Sequence, residues 1–251
     1  MNTEQQNLTR LNKAISDTGY CSRREADKII EQGNVIINGR KGVLGDRVSP
    51  EDEILVDGKP LARPQKTIYI AFNKPQGITC TTELHIKDNI INYIHHPLRI
   101  FPIGRLDKDS EGLIFLTSDG NIVNKILRAG NKHEKEYLVK INKPVTPDFI
   151  ARMSAGVPIL GTVTNPCFVK QENKYSFRII LTQGLNRQIR RMCTFLNCEV
   201  ESLKRIRIMN ITLDAIATGK WRYFTEEELT TIQNLVVDSV KTEEASTKEN
   251  L

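Results

Sequence analysis

The residues best placed to do chemistry are two aspartates, Asp107 and Asp109, in the run F-P-I-G-R-L-D-K-D-S-E-G-L-I-F-L-T at 101–117. Gly104, Arg105, Leu106 and Asp107 form a polar loop just before an apolar strand, which holds a carboxylate rigidly yet lets it reach a groove. The same residues also suit a turn in which an aspartate bonds its own backbone, and residue type alone leaves both readings open. A second group is Lys135-Glu136-Tyr137, where Tyr137 by itself reads as a strand aromatic packed in a core. A third is L-T-Q-G-L-N-R-Q-I-R-R-M at 181–192. On a helix, Ile189, Met192, Cys193 and Leu196 make one apolar stripe, while Arg187, Arg190, Arg191 and Thr194 fall mainly on another side. One helix can thus pack and still present cations.

These groups need elements to carry them. In the second part of the chain a strand is expected at 68–72, then the loop 73–77, a short helix near 89–94, a strand at 112–117 and a helix over 119–128 closed by Gly130. Tyr137, Val139 and Ile141 alternate with charged or outward residues, as do Phe177, Ile179 and Leu181, the period of half-buried strands that suits antiparallel pairing. A last amphipathic helix starts at Thr225 with Glu228 in capping-box position, and the polar residues 239–251 read as a disordered tail.

The first part, 8–62, reads as a separate small module. Leu11, Ala14, Ile15 and Thr18 recur with helical spacing and Gly19 supplies a helix end. Ser22 and Glu25 form a capping box for a second helix with Ala26, Ile29 and Ile30 buried and Gly33 past its end, leaving Arg23, Arg24 and Lys28 on the wet side. Strands at Val35–Ile37 and Ile54–Val56 are followed by the turn signals Asn38-Gly39 and Asp57-Gly58. Residues 63–67, with Arg63, Pro64 and Lys66, read as a linker, and 68–238 as the larger domain.

At 251 residues the chain has room for one or two domains. It contains no apolar run long enough to span a bilayer and no apolar signal core near Met1, so a soluble cytoplasmic protein is expected. Five cysteines at scattered spacings fit neither a disulfide framework nor paired zinc ligands, and His95-His96 lacks further ligands at suitable spacing. Net charge is +6, but residues 1–225 carry 34 basic against 23 acidic groups, a net of +11. A basic body favours a polyanion such as nucleic acid, although composition alone fits a merely basic protein equally well. Residues 1–62 hold nine basic and ten acidic groups, so any RNA contact there is a local patch.

With these residues in view, L-N-K-A-I-S-D-T-G-Y-C-S-R-R-E-A-D and V-I-I-N-G-R resemble the S4 RNA-binding domain, and G-R-L-D followed by G-L-I-F-L-T resembles the catalytic motif of pseudouridine synthases. Together they look like the RsuA-type branch of ribosomal pseudouridine synthases, over nearly the whole chain. The resemblance implies an α+β fold: a small N-terminal S4 (α-L) module linked to a catalytic domain with a mixed, largely antiparallel sheet. It implies that Asp107 is the catalytic carboxylate, that Tyr137 faces it from a strand, and that Arg190, following Gln-Ile, pairs with it. In S4 domains the first-turn basic residues of the second helix face RNA, which points to Arg23 and Arg24, then Arg10, Lys13 and Arg40.

Around the catalytic loop, Arg105 could fill the space left by a flipped nucleotide. Arg128, with Lys125, Lys132 and Lys135, and Arg187 and Arg191 on their helix, extend the basic footprint. Lys204, Arg205 and Arg207 are expected to reach phosphates from a strand whose Ile206 and Ile208 point inward. The implied reaction breaks C1′–N1 of a uridine, turns the uracil, joins C5 to C1′ and removes the C5 proton. Nothing is oxidised, so no cofactor and no metal are expected. R-A-G-N-K-H-E-K-E-Y and M-S-A-G-V-P-I-L-G look closest to large-subunit members, implying a uridine of 23S rRNA, reached by a monomer before or during subunit assembly. Transfer RNA or 16S rRNA is an alternative substrate, and a non-catalytic S4 assembly factor the rival from another class. A methyltransferase lacks its glycine-rich nucleotide turn here, and an aminoacyl-tRNA synthetase its ATP-handling motifs.

Overall fold

The computed structural model describes residues 8–214, 216–237 and 239. Contacts divide the chain into two compact units, one of residues 1–67 with Pro97–Arg99, the other of Ile68–His96 and residues 100–251. The expected tail falls outside the described residues apart from Ser239. Among the described residues no helix is long and apolar enough to cross a membrane.

The first unit contains α1 (Leu11–Asp17) and α2 (Arg23–Glu31). The capping box closes as its sequence requires: Glu25 N donates to Ser22 Oγ at 3.2 Å and Ser22 N donates to the Glu25 carboxylate at 2.7 Å. Leu11, Ile15, Ala26 and Ile30 from these helices meet Val35, Ile37, Val48 and Val56 in one apolar core. The antiparallel sheet runs Arg40–Lys41, β1 (Val35–Ile37), β2 (Ile54–Val56), Lys59–Pro60. Its hairpins turn through Asn38-Gly39 and Asp57-Gly58, all four residues at positive φ, which is why those residue types sit there. Residues 63–67, expected as a linker, are tied to this unit: Gln65 N donates to Asp17 O at 3.0 Å and Gln65 Nε2 to Arg99 O at 2.7 Å.

The second unit is a nine-stranded mixed sheet. In chain order it comprises β3 (Tyr69–Lys74), α3 (Ile90–Ile94), β4 (Phe101–Ile103), β5 (Glu111–Thr117), α4 (Gly120–Leu127), β6 (Lys135–Ile141), α5 (Pro147–Ala155), β7 (Phe168–Asn173), β8 (Ser176–Leu181), α6 (Gln188–Phe195), β9 (Val200–Ile208), β10 (Trp221–Tyr223) and α7 (Glu226–Leu235). Across the sheet the order is β7-β8-β6-β9-β5-β3-β10, with β4 alongside β5 and a ninth short strand, Ile211–Thr212, alongside β9.

Every pair in this sheet is antiparallel except β9 with β5, where Lys204 lies beside Glu111 and Arg205 beside Gly112. That parallel seam divides the sheet into two halves with separate cores. On one side α5 and α6 pack Phe149, Met153, Ile189 and Met192 against Val139, Phe177 and Ile179. On the other, α4 and α7 pack Ile122, Ile126 and Ile232 against Ala71, Leu113 and Phe115.

Gly112 is what lets the seam close. A Cβ there would stand 2.3 Å from Arg205 O and 2.7 Å from Arg205 N, and the residue has φ +107. Only glycine tolerates both the approach and the conformation.

Two parts of the sequence reading need revision. The helix expected over 119–128 ends at Leu127 and passes into a 3-10 turn at Ala129–Asn131 instead of a glycine cap. More consequential is the strand expected to carry Arg205 and Arg207 outward with Ile206 and Ile208 inward. In the ladder Glu136 faces Arg207 and Tyr137 faces Arg205, so Ile206 is the extra residue of a bulge. The bulge shifts the alternation by one, and Leu203, Arg205 and Ile208 become the buried residues.

Candidate active site

The loop carrying Asp107 is pinned at both ends. Gly104 turns it at φ +79, where a Cβ would meet the Leu127 side chain at 2.8 Å. Leu106 N donates to Cys80 Sγ at 3.4 Å, Gly77 N to Lys108 O at 2.8 Å and Ser110 N to Asp107 O at 3.1 Å. Lys74 is fully buried under the same loop, and its Nζ donates to Pro75 O and Ile78 O, each at 2.9 Å. Burial lowers its pKa, while Cys80, Asp109 and Asp107 oppose that shift. Sequence reading passed over Lys74; its signal was a lysine closing an apolar strand just before Pro75 and Gly77.

Asp107 is half-buried and opens onto a cavity of about 870 Å³ built wholly within the second unit. Tyr137 and Lys135 line it from β6, Leu203, Arg205 and Ile208 from β9, Phe115 from β5 and Leu181 from β8. The site therefore straddles the parallel seam. The Arg205 guanidinium lies 6.0 Å from the centre of the Tyr137 ring.

The arginines distribute themselves differently from the motif reading. Arg187, immediately before α6 and in left-handed conformation, places Nη1 3.6 Å from Asp107 Oδ2 and forks onto Asp109 at 3.2 and 3.1 Å. Arg190 was expected to pair with Asp107 and does not. Its Nη2 donates to Asp109 O at 3.1 Å and Ser110 Oγ at 3.3 Å and lies 3.5 Å from Asp109 Oδ2, while Nη1 donates to Val200 O at 3.4 Å. One turn inside the helix, residue 190 reaches the far side of the loop, whereas residue 187 reaches its mouth. Burial pushes the Asp109 carboxyl up, but hydrogen bonding to Arg187 and the charge of Arg190 outweigh it and hold the group below its ordinary value.

The remaining candidates separate by how they are paired. Arg23 and Arg24 in the first turn of α2 are exposed, with no hydrogen bond or ion pair among the described residues, and Arg10 and Arg105 are likewise exposed. Lys13 is paired with Asp17, and Arg40 forks onto Asp46 at 2.8 and 3.2 Å. Arg191 donates to Asn186 O at 3.0 Å and Asn186 Oδ1 at 3.3 Å, and Arg128 is half-buried at the end of α4. Arg205 is 4% exposed and is no surface contact. Arg207 is held by Glu136 at 2.6 Å and Glu134 at 2.8 Å, in a chain of charges that Arg178 extends from Glu136 to Glu172. Two glutamates already neutralise it, so it offers little to a phosphate.

Residues 68–195, which hold the loop, the tyrosine and all of α6, match the RNA pseudouridylate synthase family, and residues 9–54 match the S4 domain. The chain belongs to the RNA pseudouridylate synthase family and is an S4-bearing pseudouridine synthase, an isomerase.

Among its relatives, the dual-specificity RNA pseudouridine synthase RluF of Escherichia coli (strain K12) is 57% identical over 233 residues, which is 92% of this chain and 80% of that protein. An uncharacterized RNA pseudouridine synthase of Aquifex aeolicus is 36% identical over 237 residues, covering 88% and 92%. A crystal structure of a pseudouridylate synthase superposes with a TM-score of 0.66 at 30% identity, covering 89% of this chain and 99% of that one.

Proposed function

We propose that this chain converts a uridine of 23S ribosomal RNA to pseudouridine with Asp107 as the catalytic carboxylate and Tyr137 against the base. The observation that carries the reading is the opening of half-buried Asp107 onto a cavity it shares with Tyr137, with Arg187 3.6 Å from the carboxylate. A guanidinium beside a carboxylate orients it in a partly buried site for attack on the base or sugar, or removal of a sugar proton. Arg190 serves as a positioning residue, tying Asp109 and Ser110 to α6 and β9. Tyr137 stacks on the uracil.

A paired base is out of reach of such a cavity, so the target nucleotide is flipped into it, with exposed Arg105 beside the vacated space. The isomerisation returns every atom to the product and needs no cofactor. The RluF relatives support the large-subunit assignment, and the dual specificity in their name favours a second RNA, for which transfer RNA is the alternative open from the sequence.

Carbodiimide mapping of pseudouridine in RNA from cells lacking the protein tests both readings. Loss of one 23S signal, restored by wild type and not by Asp107→Asn, is the expected result. A map unchanged in 23S rRNA and altered in transfer RNA moves the substrate; a map unchanged in both removes the assignment.

A further inference from the structure

Two cations at the cavity, Lys135 and Arg205, make no ion pair among the described residues. Lys135 is 8% exposed and Arg205 4% exposed, and both line the cavity that Asp107 opens onto. Arg205 Nε donates to Leu113 O at 2.6 Å, but its Nη2 is buried without a hydrogen-bond partner. Among the described residues Lys135 Nζ has one hydrogen bond, to His133 O at 3.2 Å. The ladder fixes their neighbourhood: Tyr137 sits opposite Arg205 and Lys135 opposite Ile208, so β6 and β9 bring lysine, tyrosine and arginine onto one patch of the sheet face. Burying two neighbouring positive charges without a counter-charge is costly, and leaving a guanidinium nitrogen unbonded costs more. Arg207, one bulge away, shows how this sheet treats a structural arginine: it is given two glutamates.

The reaction supplies a transient anion at this place. When C1′–N1 breaks, the electron pair stays on the base, and the negative charge spreads over N1 and the two carbonyl oxygens of uracil. The base then turns, C5 supplies the electron pair of the new bond to C1′, the C5 proton leaves and N1 takes up a proton. Between the two bonds the base is held by nothing covalent at the sugar.

We propose that Lys135 and Arg205 form a cationic floor that binds the carbonyl edge of the detached uracil and retains it while it turns. This rests on the assignment of Asp107 and Tyr137 to the reacting site. Buried donors aimed at charge that develops during reaction stabilise it strongly because no water competes.

Burial, with the charge of Arg205, pushes the Lys135 ammonium down to about 8. The groups facing it are Arg205 from β9, Tyr137 on its own strand, His133 just before it, and, around the cavity, Asp107 and Arg105 on the catalytic loop and Arg187 before α6. The protonated form is the one that binds an anion, so activity falls as pH rises through the Lys135 value.

The test is single-turnover kinetics of the full chain on an unmodified RNA transcript that wild type converts, with RNA affinity measured in parallel. Lys135→Met is expected to lower the rate about a hundredfold with affinity unchanged. Lys135→Arg, whose charge does not titrate in this range, is expected to keep most of the rate and to lose the high-pH fall that wild type shows. Should Lys135→Met misfold, the wild-type and Lys135→Arg profiles still decide: coincident profiles overturn the proposal, as does a Lys135→Met enzyme with the wild-type rate. Asp107→Asn is run alongside. If it turns over, the assignment of the site itself has failed; if it is inactive while Lys135→Met is normal, only the cationic floor has.

Discussion

Helix α2 of the S4 unit and strand β9 of the catalytic unit each carry two arginines, and the two pairs have opposite fates. Arg23 and Arg24 stand exposed and unpaired in the first turn of their helix, whereas Arg205 is buried beside Tyr137 and Arg207 is clamped between Glu134 and Glu136. Sequence alone gave all four the same task. What separates them is the surroundings: α2 faces water on one side, while β9 lies inside a nine-stranded sheet where an arginine must find acceptors or a ligand. The lesson is that basic residues count toward an RNA footprint only when nothing in the protein already neutralises them.

That contrast can be broken by substitution. The largest effect is expected beside the β9 pair, at the carboxylate: Asp107→Asn should preserve the thermal transition and RNA affinity and remove turnover, measured as pseudouridine formed per enzyme. Gly112→Ala comes next, since its Cβ would fall inside the Arg205 backbone; a loss of roughly 4 kcal/mol or more of stability is expected by chemical denaturation, and an unchanged midpoint would show that the seam can part at little cost. Arg23→Gln with Arg24→Gln should weaken RNA binding about tenfold and flatten its logarithmic salt dependence by roughly 2, with single-turnover chemistry at saturating protein unchanged. Arg207→Gln is expected to do the reverse on a smaller scale. It should cost ~1 to 3 kcal/mol of stability by leaving Glu136 with Arg178 as its one arginine partner and Glu134 without Arg207, and leave the salt dependence of RNA binding where it was. If Arg207→Gln instead lowered the salt slope as the α2 pair does, the distinction between paired and unpaired arginines would be lost.

How far sequence could anticipate this follows from how local each signal is. The capping boxes at Ser22 and Thr225, the Asn38-Gly39 turn and the alternation around Tyr137 are written within a few residues and form in the structure as read. The short strand Phe101–Ile103 and the helix Pro147–Ala155, whose Thr146 cap and first-position proline were available signals, went unread. The bulge at Ile206 has no local mark, because it exists only in the register between β9 and β6, and it turns Arg205 inward where both arginines were expected outward. The choice between Arg187 and Arg190 was equally hidden. Both lie on the same motif, and only the left-handed turn at Arg187 decides which reaches Asp107. The family resemblance pointed to a loop, a tyrosine and a helix that the structure brings around one cavity; distances between side chains from distant segments had to come from the structure.

The parallel seam carries one more consequence, in the order of assembly. Gly112 and Arg205 are neighbours in space and far apart in the chain, and the strands they join belong to two half-sheets that each have their own core. Pairing of β3 with β5 and of β6 with β8 joins nearby chain, but the seam must close a loop of some ninety residues and β10 reaches β3 across about 150, which places both among the slower steps of folding. The Asp107 loop arrives with one half, Tyr137 and Arg205 with the other. A chain with both halves folded and the seam open would therefore look nearly native by secondary structure and have no site at all, so that for this enzyme competence is a report on one long-range contact.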